Sequence, residues 1–385
     1  MGGTEDTTTC AIAGGGPAGM MLGLILARAG VDVVVLEKHD DFLRDFRGDT
    51  VHPSTLDVLD ELGVGARFAR LPQRRVSRMA VVTDAERLVV ADLSRLRGRH
   101  PYIALVPQWD FLDFLAEEAA RFPGFTLKMG CEVLDASGGR LRYRCAQGVD
   151  RTLRAALVVV ANGRNSTLRA GFPLHEIGAP MDVAWFALPK EPDDPDELFL
   201  RVSRGRLVAM IDRGTHWQCG YVVRKGMNVD DPHVVGENVA ELIPWLADRA
   251  RALETTSTLR VAVNRLKRWY RPGLLCLGDA AHAMSPIGGV GINLAIQDAV
   301  AAANRLARPL RDGTLDVADL AAVQRRRMPA TVLVQGFQRA AQGRLVAPTL
   351  AGAPPKLPPP RVMARLRGPL ARLVAYGGRP EHVRV

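Results

Sequence analysis

The chain has 385 residues, 47% hydrophobic and 24% charged, enough apolar material for roughly two or three packed domains and too much for a disordered polypeptide. Its formal charge of +10 is concentrated in residues 344–385, where eight Lys/Arg face Glu381 alone; the nearly balanced remainder argues against a nucleic-acid-binding face. There is no apolar run of the roughly eighteen residues a membrane helix needs. The opening MGGTEDTTTC lacks the basic start and apolar core of a secretory leader. The five cysteines (Cys10, Cys131, Cys145, Cys219, Cys276) form no CxxC pair. The expectation is a cytoplasmic protein with reduced thiols and no metal site.

In chain order, residues 8–13 form an apolar run, 14–19 read GGGPAG, 20–29 are apolar all round, and 31–36 form a Val-rich run. That is strand, glycine turn, buried helix and strand: a βαβ unit. In Gly14-x-Gly16-x-x-Gly19, the first glycine permits the tight turn and the second lets backbone approach a diphosphate. The third lets helix and strand pack closely. Pro17 and Ala18 open the helix, whose N-terminal amides attract anions. Glu37, followed by Lys38, ends the second strand, where a carboxylate can accept ribose hydroxyls and disfavours a 2′-phosphate. The site suits FAD or NAD better than NADP.

Residues 55–62 read as a helix, 79–93 as two short strands, and 110–121 as a helix capped by Asp110. Residues 141–153 read as a hairpin leading into the buried strand AALVVVA. Between 182 and 263 the texture becomes antiparallel: in HWQCGYVV, Trp217, Cys219, Tyr221 and Val223 share one face, and His216, Gln218 and Gly220 the other. One helix, 233–253, interrupts this sheet. A buried strand at 273–277 delivers Asp279, followed by Pro286, Gly289, Gly291 and Asn293 at the start of a helix over 292–306. Strand C-terminal ends are where ligands bind in open α/β sheets. A helix over 317–341, a Pro-rich linker at 353–360 and a basic amphipathic helix broken near Gly368-Pro369 complete the chain. Two glycine turns so far apart point to one long ligand gripped at both ends.

These two segments, with Asn162-Gly163-Arg164-Asn165-Ser166 between them, resemble the class A flavoprotein monooxygenases of the p-hydroxybenzoate hydroxylase and ubiquinone-biosynthesis hydroxylase type, over about residues 8–330. The resemblance implies an α/β chain: a Rossmann-like FAD-binding domain (1–71, 107–174, 266–342) with an inserted antiparallel β-sheet substrate domain (72–106, 175–265). A linker and basic helical tail (343–385) follow. It implies that Gly14, Gly16 and Gly19 meet the FAD diphosphate, that Glu37 meets the ribose, and that Arg47 lies over the phosphate–ribityl region. Gln108 and Asp279 would contact the ribityl chain and Val133 the adenine surroundings, while Pro286, Gly289 and Gly291 would border the isoalloxazine. The family's middle motif usually begins Asp-Gly; Asn162 keeps the shape and loses the charge. Arg164 would offset cofactor phosphate charge. NAD(P)H would dock transiently, without a domain of its own.

The implied reaction uses NAD(P)H and O2 to hydroxylate an aromatic or polyketide-like small molecule through a flavin C4a-hydroperoxide, which needs a dry pocket. Trp185, Met210, Trp217 and Tyr221, with Phe186, are candidate pocket walls, and His52 and His216 are candidate bases; His282 suits a structural hydrogen bond. The rival readings are a flavin oxidase, dehydrogenase or prenyl reductase on the same scaffold, and a non-catalytic flavoprotein that sequesters an intermediate. The basic tail packs on the flavin domain or touches an anionic membrane surface. The oligomeric state is left open.

Overall fold

The computed structural model describes residues 6–43, 49–146, 148–203, 205–227 and 231–385. The opening unit comprises β1 (Asp6–Ala13), α1 (Pro17–Arg28) and β2 (Val33–Leu36). β1 lies mid-sheet, parallel to β2 on one side. β3 (Phe125–Lys128) lies beyond β2. On its other side β1 pairs with β4 (Asp150–Val160), and Leu274–Cys276 follows. Strand parity divides the core. Cys10, Ile12, Val33, Val35, Leu157 and Val159 pack beneath the helices. Ala11, Ala13, Leu36 and Val158 meet a second layer of Val133, Leu141 and Tyr143, from the hairpin Glu132–Ser137 and Arg140–Arg144. A parallel sheet covered on both faces needs the near-continuous Val/Ile/Leu composition these strands have.

The second sheet has seven strands. Its centre is β5 (Met181–Pro189), β6 (Leu198–Ser203), β7 (Arg206–Asp212) and β8 (His216–Arg224). β5 pairs with β8, β8 with β7 and β7 with β6, all antiparallel; β6 then runs parallel to Arg78–Val82. One face is covered by the helices Pro232–Leu242 and Ala247–Arg251. Pro244 divides what reads in sequence as a single helix, because its ring removes an amide the helix interior needs.

The helix expected to be capped by Asp110 begins at Gln108. Its cap comes from a distant segment: Gln108 N–H donates to Asp49 Oδ1 at 3.2 Å. After α2 (Gly291–Arg311) and α3 (Val317–Ala341), the Pro-rich stretch folds back, with Lys356 N–H donating to Arg344 carbonyl at 2.8 Å. α4 (Pro360–Tyr376) is continuous through Pro369, contrary to the expected break. Gly368 has no Cβ to crowd the proline ring, so the helical conformation before proline is less hindered there. α4 buries Ala371, Val374 and Ala375 against Val76, Ala91, Leu93 and Leu105. No described helix is long and apolar enough to cross a membrane.

Candidate functional site

Both glycine turns open at the C-terminal end of the parallel sheet. Gly14 has φ +108°, and a Cβ there would sit 2.6 Å from Ala161 O; one on Gly19 would sit 2.0 Å from Gly14 O. Both therefore fix how closely β1, β4 and α1 approach. Gly16 differs: nothing lies within 4 Å of its missing Cβ, while the first-turn amides of α1 have no partner within the helix. An open glycine at a helix N-terminus fits a diphosphate. Gly15 N–H donates to Glu37 Oε2 (2.8 Å) and His39 N–H to Oε1 (3.0 Å), so this buried carboxylate ties the strand end to the turn. Lys38 beside it is exposed.

Gly278 joins the two turns. A Cβ on it would lie 3.2 Å from that of Ala18, at the start of α1, and 3.1 Å from that of Ala295, in α2. Asp279 follows, half-buried, paired to Arg164 Nη2 at 3.0 Å. The Asn162 segment thus reaches the second turn through Arg164; Asn162 itself is exposed, before Gly163 at φ +88°. Pro286, Gly289 and Gly291 lead into α2, with Gly288 and Gly289 at positive φ. Asn293, expected against the cofactor, is used otherwise. Its Oδ1 accepts from His52 N–H and Thr55 Oγ1 (both 2.8 Å), and its Nδ2 donates to Thr50 carbonyl (3.0 Å). With these groups engaged, Asn293 positions the loop instead of meeting a ligand. Thr50 Oγ1 donates to Gly289 carbonyl at 2.8 Å, clamping the second turn.

Gln108 lies half-buried in the first turn of its helix, and Val133 is buried behind β2 in the hairpin layer. Arg47 falls outside the described residues.

The expected pocket walls need correction. Met210, Trp217 and Tyr221 pack with Phe186, Val235, Val239 and Leu246 under the covering helices. They are core on the far face, because strand parity turns them away from the flavin side. Trp185 has the opposite parity and packs in the cluster containing Val183, Leu207, Val222 and Ile287. Ile287 belongs to the second glycine turn, so this is the face turned toward the cofactor cleft. On it lie Ala187 opposite Gln218, and Ala209 and Trp185 on either side of Gly220. The informative signal in HWQCGYVV was its small and polar face, not its bulky one.

His52 is also corrected as a base. It is fully buried, its Nδ1 is 2.7 Å from Val374 carbonyl, and burial pushes its pKa down to about 4. It sits beneath α4, inaccessible to a substrate. His216 remains half-buried at the sheet end. Its pKa is lowered, first by burial and then by the Arg213 charge, so the ring is neutral near pH 7. Arg213 was not anticipated. Its Nη2 lies 3.2 Å from Asp49, and both side chains are almost wholly buried. Burial lowers the Arg213 pKa and raises that of Asp49, whose carboxylate also accepts from Gln218. This pair joins the sheet to the flavin-side loop.

The family described as "FAD binding domain" matches residues 6–335. The chain is 35% identical over 342 residues to 6-methylpretetramide 4-monooxygenase of Streptomyces rimosus, covering 84% of this chain and 81% of that relative. It is 30% identical to a Streptomyces rimosus 12-dehydrotetracycline 5-monooxygenase/anhydrotetracycline 6-monooxygenase, covering 75% of this chain but 60% of that longer relative. The crystal structure of Pseudomonas aeruginosa PqsL in complex with 2-aminobenzoylacetate has the same fold, with TM-score 0.75 and 22% identity over 90% of this chain and 99% of that one.

Proposed function

The chain belongs to the FAD-binding-domain family of class A flavoprotein monooxygenases, and from that premise we propose that it hydroxylates an aromatic, polyketide-like small molecule with NAD(P)H and O2. The observation that carries this reading is the junction at Gly278, which sets the open Gly16 turn beside the Asp279 turn. One elongated dinucleotide then spans both.

FAD, when bound, supplies the activation of oxygen and its transfer to the substrate ring. The chain's residues do the rest. The amides at Gly16, Ala18 and Gly19 would hold the diphosphate, and Glu37 fixes the turn that presents them. Asp279 is the acceptor for ribityl hydroxyls, held in place by Arg164. Asn293 and Thr50 hold the second glycine turn, which would border the isoalloxazine. The sheet face of Trp185, Ala187, Ala209 and Gly220 excludes water from the ring to be hydroxylated. His216, neutral near pH 7, stands where it can take a phenol proton at an imidazole nitrogen. Its Nδ1 is 3.1 Å from Thr215 Oγ1, which orients the ring.

The test is to purify the chain with FAD and supply NADH or NADPH, isotope-labelled O2 and an aromatic polyketide. Labelled oxygen in the product is expected. A product free of the label, formed with flavin reduction, would replace hydroxylation with dehydrogenation or oxidation on the same scaffold.

A further inference from the structure

Two buried side-chain donors without a partner among the described residues share the cleft face of the seven-stranded sheet: Trp185 Nε1 and Arg213 Nη1. Burying an unpaired N–H is costly, and more so for a charged group. A sheet that carries two on one face therefore has a use for them. Strand parity places both. Residues Leu207, Ala209 and Ile211 alternate onto this face, and Arg213 continues the series until its Nη2 reaches Asp49 of the flavin-side loop. The guanidinium thus sits between the sheet and the flavin-side loop, ion-paired to Asp49 with the Asp110 charge also in electrostatic reach, while Nη1 itself has no hydrogen-bond partner among the described residues.

The floor is low beside Trp185: Ala209 and Gly220 share its row, and a Cβ on Gly220 would come 3.2 Å from the Trp185 ring. The next row toward Arg213 is Ala187, Gln218 and Ile211, small at the Ala187 edge. Trp185 pairs with Gly220 and Pro189 with His216, so four residues separate the Trp185 row from the Arg213 end. At the strand rise the two backbone rows lie about 14 Å apart. An elongated fused-ring system reaches further along such a face than a single benzene ring.

We propose that this floor determines specificity: it takes an elongated fused-ring phenol or enolised ketone, with an ionised oxygen held by Arg213 Nη1 and a neutral ketone or hydroxyl received by Trp185 Nε1. The planar fork lets one guanidinium hold Asp49 and the ligand oxygen together. An ionised ring oxygen also makes the ring electron-rich, as hydroxylation requires. This inference rests on the hydroxylase reading for what becomes of the ligand, and on the sheet alone for how the ligand is held.

The test uses FAD-loaded protein and three probes: alizarin (an anthraquinone phenol), its dimethyl ether, and catechol, its single-ring counterpart. Binding is read from the flavin absorbance change. The wild type is expected to bind alizarin roughly 10- to 100-fold tighter than the ether, the range for a hydrogen bond to a charged group, and catechol more weakly still. Arg213→Gln should bring alizarin down to the ether's affinity and leave the ether unchanged. Trp185→Phe should weaken both anthraquinones alike. Arg213→Lys keeps a charge for Asp49 and lacks the second fork, so it should show the same loss of discrimination even where Arg213→Gln folds poorly. Equal weakening of phenol and ether by both Arg213 variants, or catechol binding as tightly as alizarin, overturns the proposal. The hydroxylase reading fails separately: no substrate oxygenated while the binding pattern persists would refute that reading and leave this one standing.

Discussion

Gly14 and Gly16 belong to one motif, yet the structure gives them different work. Gly14 faces backbone at 2.6 Å with φ +108°, whereas Gly16 faces open space. Gly14→Val is therefore expected to destabilise the protein by at least about 3 kcal/mol, through strain and overlap together. Gly16→Val should leave the flavin-free fold within about 1 kcal/mol of wild type while weakening FAD binding roughly 100-fold by filling the phosphate space. Thermal melts and the yield of bound flavin separate the two. A flavin-replete Gly16→Val protein would show that the diphosphate lies elsewhere. His52 carries a pH signature. Its pKa falls from 6.5 unfolded to about 4 folded, so the unfolded chain binds the proton more readily. The stability His52 allows is intact above pH 6.5 and is lost as pH falls toward 4, by about 3 kcal/mol in all. Urea unfolding across that range should show the loss, and His52→Asn, which keeps a donor for Val374 carbonyl, should flatten it.

At the scale of elements, helix and tail are joined by buried charge. His282 Nε2 lies 2.5 Å from Asp298 Oδ2, and Arg327 Nε donates to Asp298 Oδ1 at 2.9 Å. Arg327 Nη1 reaches Glu381 at 3.1 Å, and Arg326 reaches it at 2.6 Å. Removing one partner of such a set leaves the others buried with uncompensated charge. Glu381→Ala is expected to lose about 2–4 kcal/mol in urea unfolding; a loss under about 0.5 kcal/mol, the scale of a surface substitution, would mean the carboxylate is peripheral. The elements themselves were largely legible in the sequence. The helix over 317–341 starts where expected, because Asp316 caps it with a capping box and its periodicity is local; beyond Ala341 the chain stays helical through a π-helical turn, Gln342–Val346, to Leu350. The Asp49 cap of the Gln108 helix was illegible, since no local pattern signals a cap delivered from another segment. The sheet faces were legible as faces, but parity cannot say which face a helix will cover. Bulk suggested a pocket at Trp217 where packing made a core.

For the whole molecule, the C-terminal stretch completes the body. Leu345, Val346, Leu350 and Leu357 close the cleft-side cluster of the sheet, and α4 covers Val76, Leu93 and Leu105. Truncation after Leu350 is expected to uncover this apolar surface and give aggregates by size-exclusion chromatography. A monodisperse, flavin-loaded truncation would show that the tail is an accessory. Arg361, Arg365 and Arg372 remain exposed on α4, so contact with an anionic surface is best tested by reversing those charges in the intact chain. The two glycine turns were readable because they answer local backbone demands. The Arg213–Asp49 pair, which ties the seven-stranded sheet to the flavin-side loop, was not, because it joins residues that only the assembled fold brings together.

The carboxylate that meets Arg327 also sets a timetable. A ribosome extrudes Arg327 about fifty residues before Glu381, an interval of roughly 3–10 s at ordinary elongation rates. During those seconds the nascent helices behind the second glycine turn lack their final latch. Until Glu381 emerges, Arg327 and Asp298 face each other without it, so this latch closes only when the chain is nearly complete.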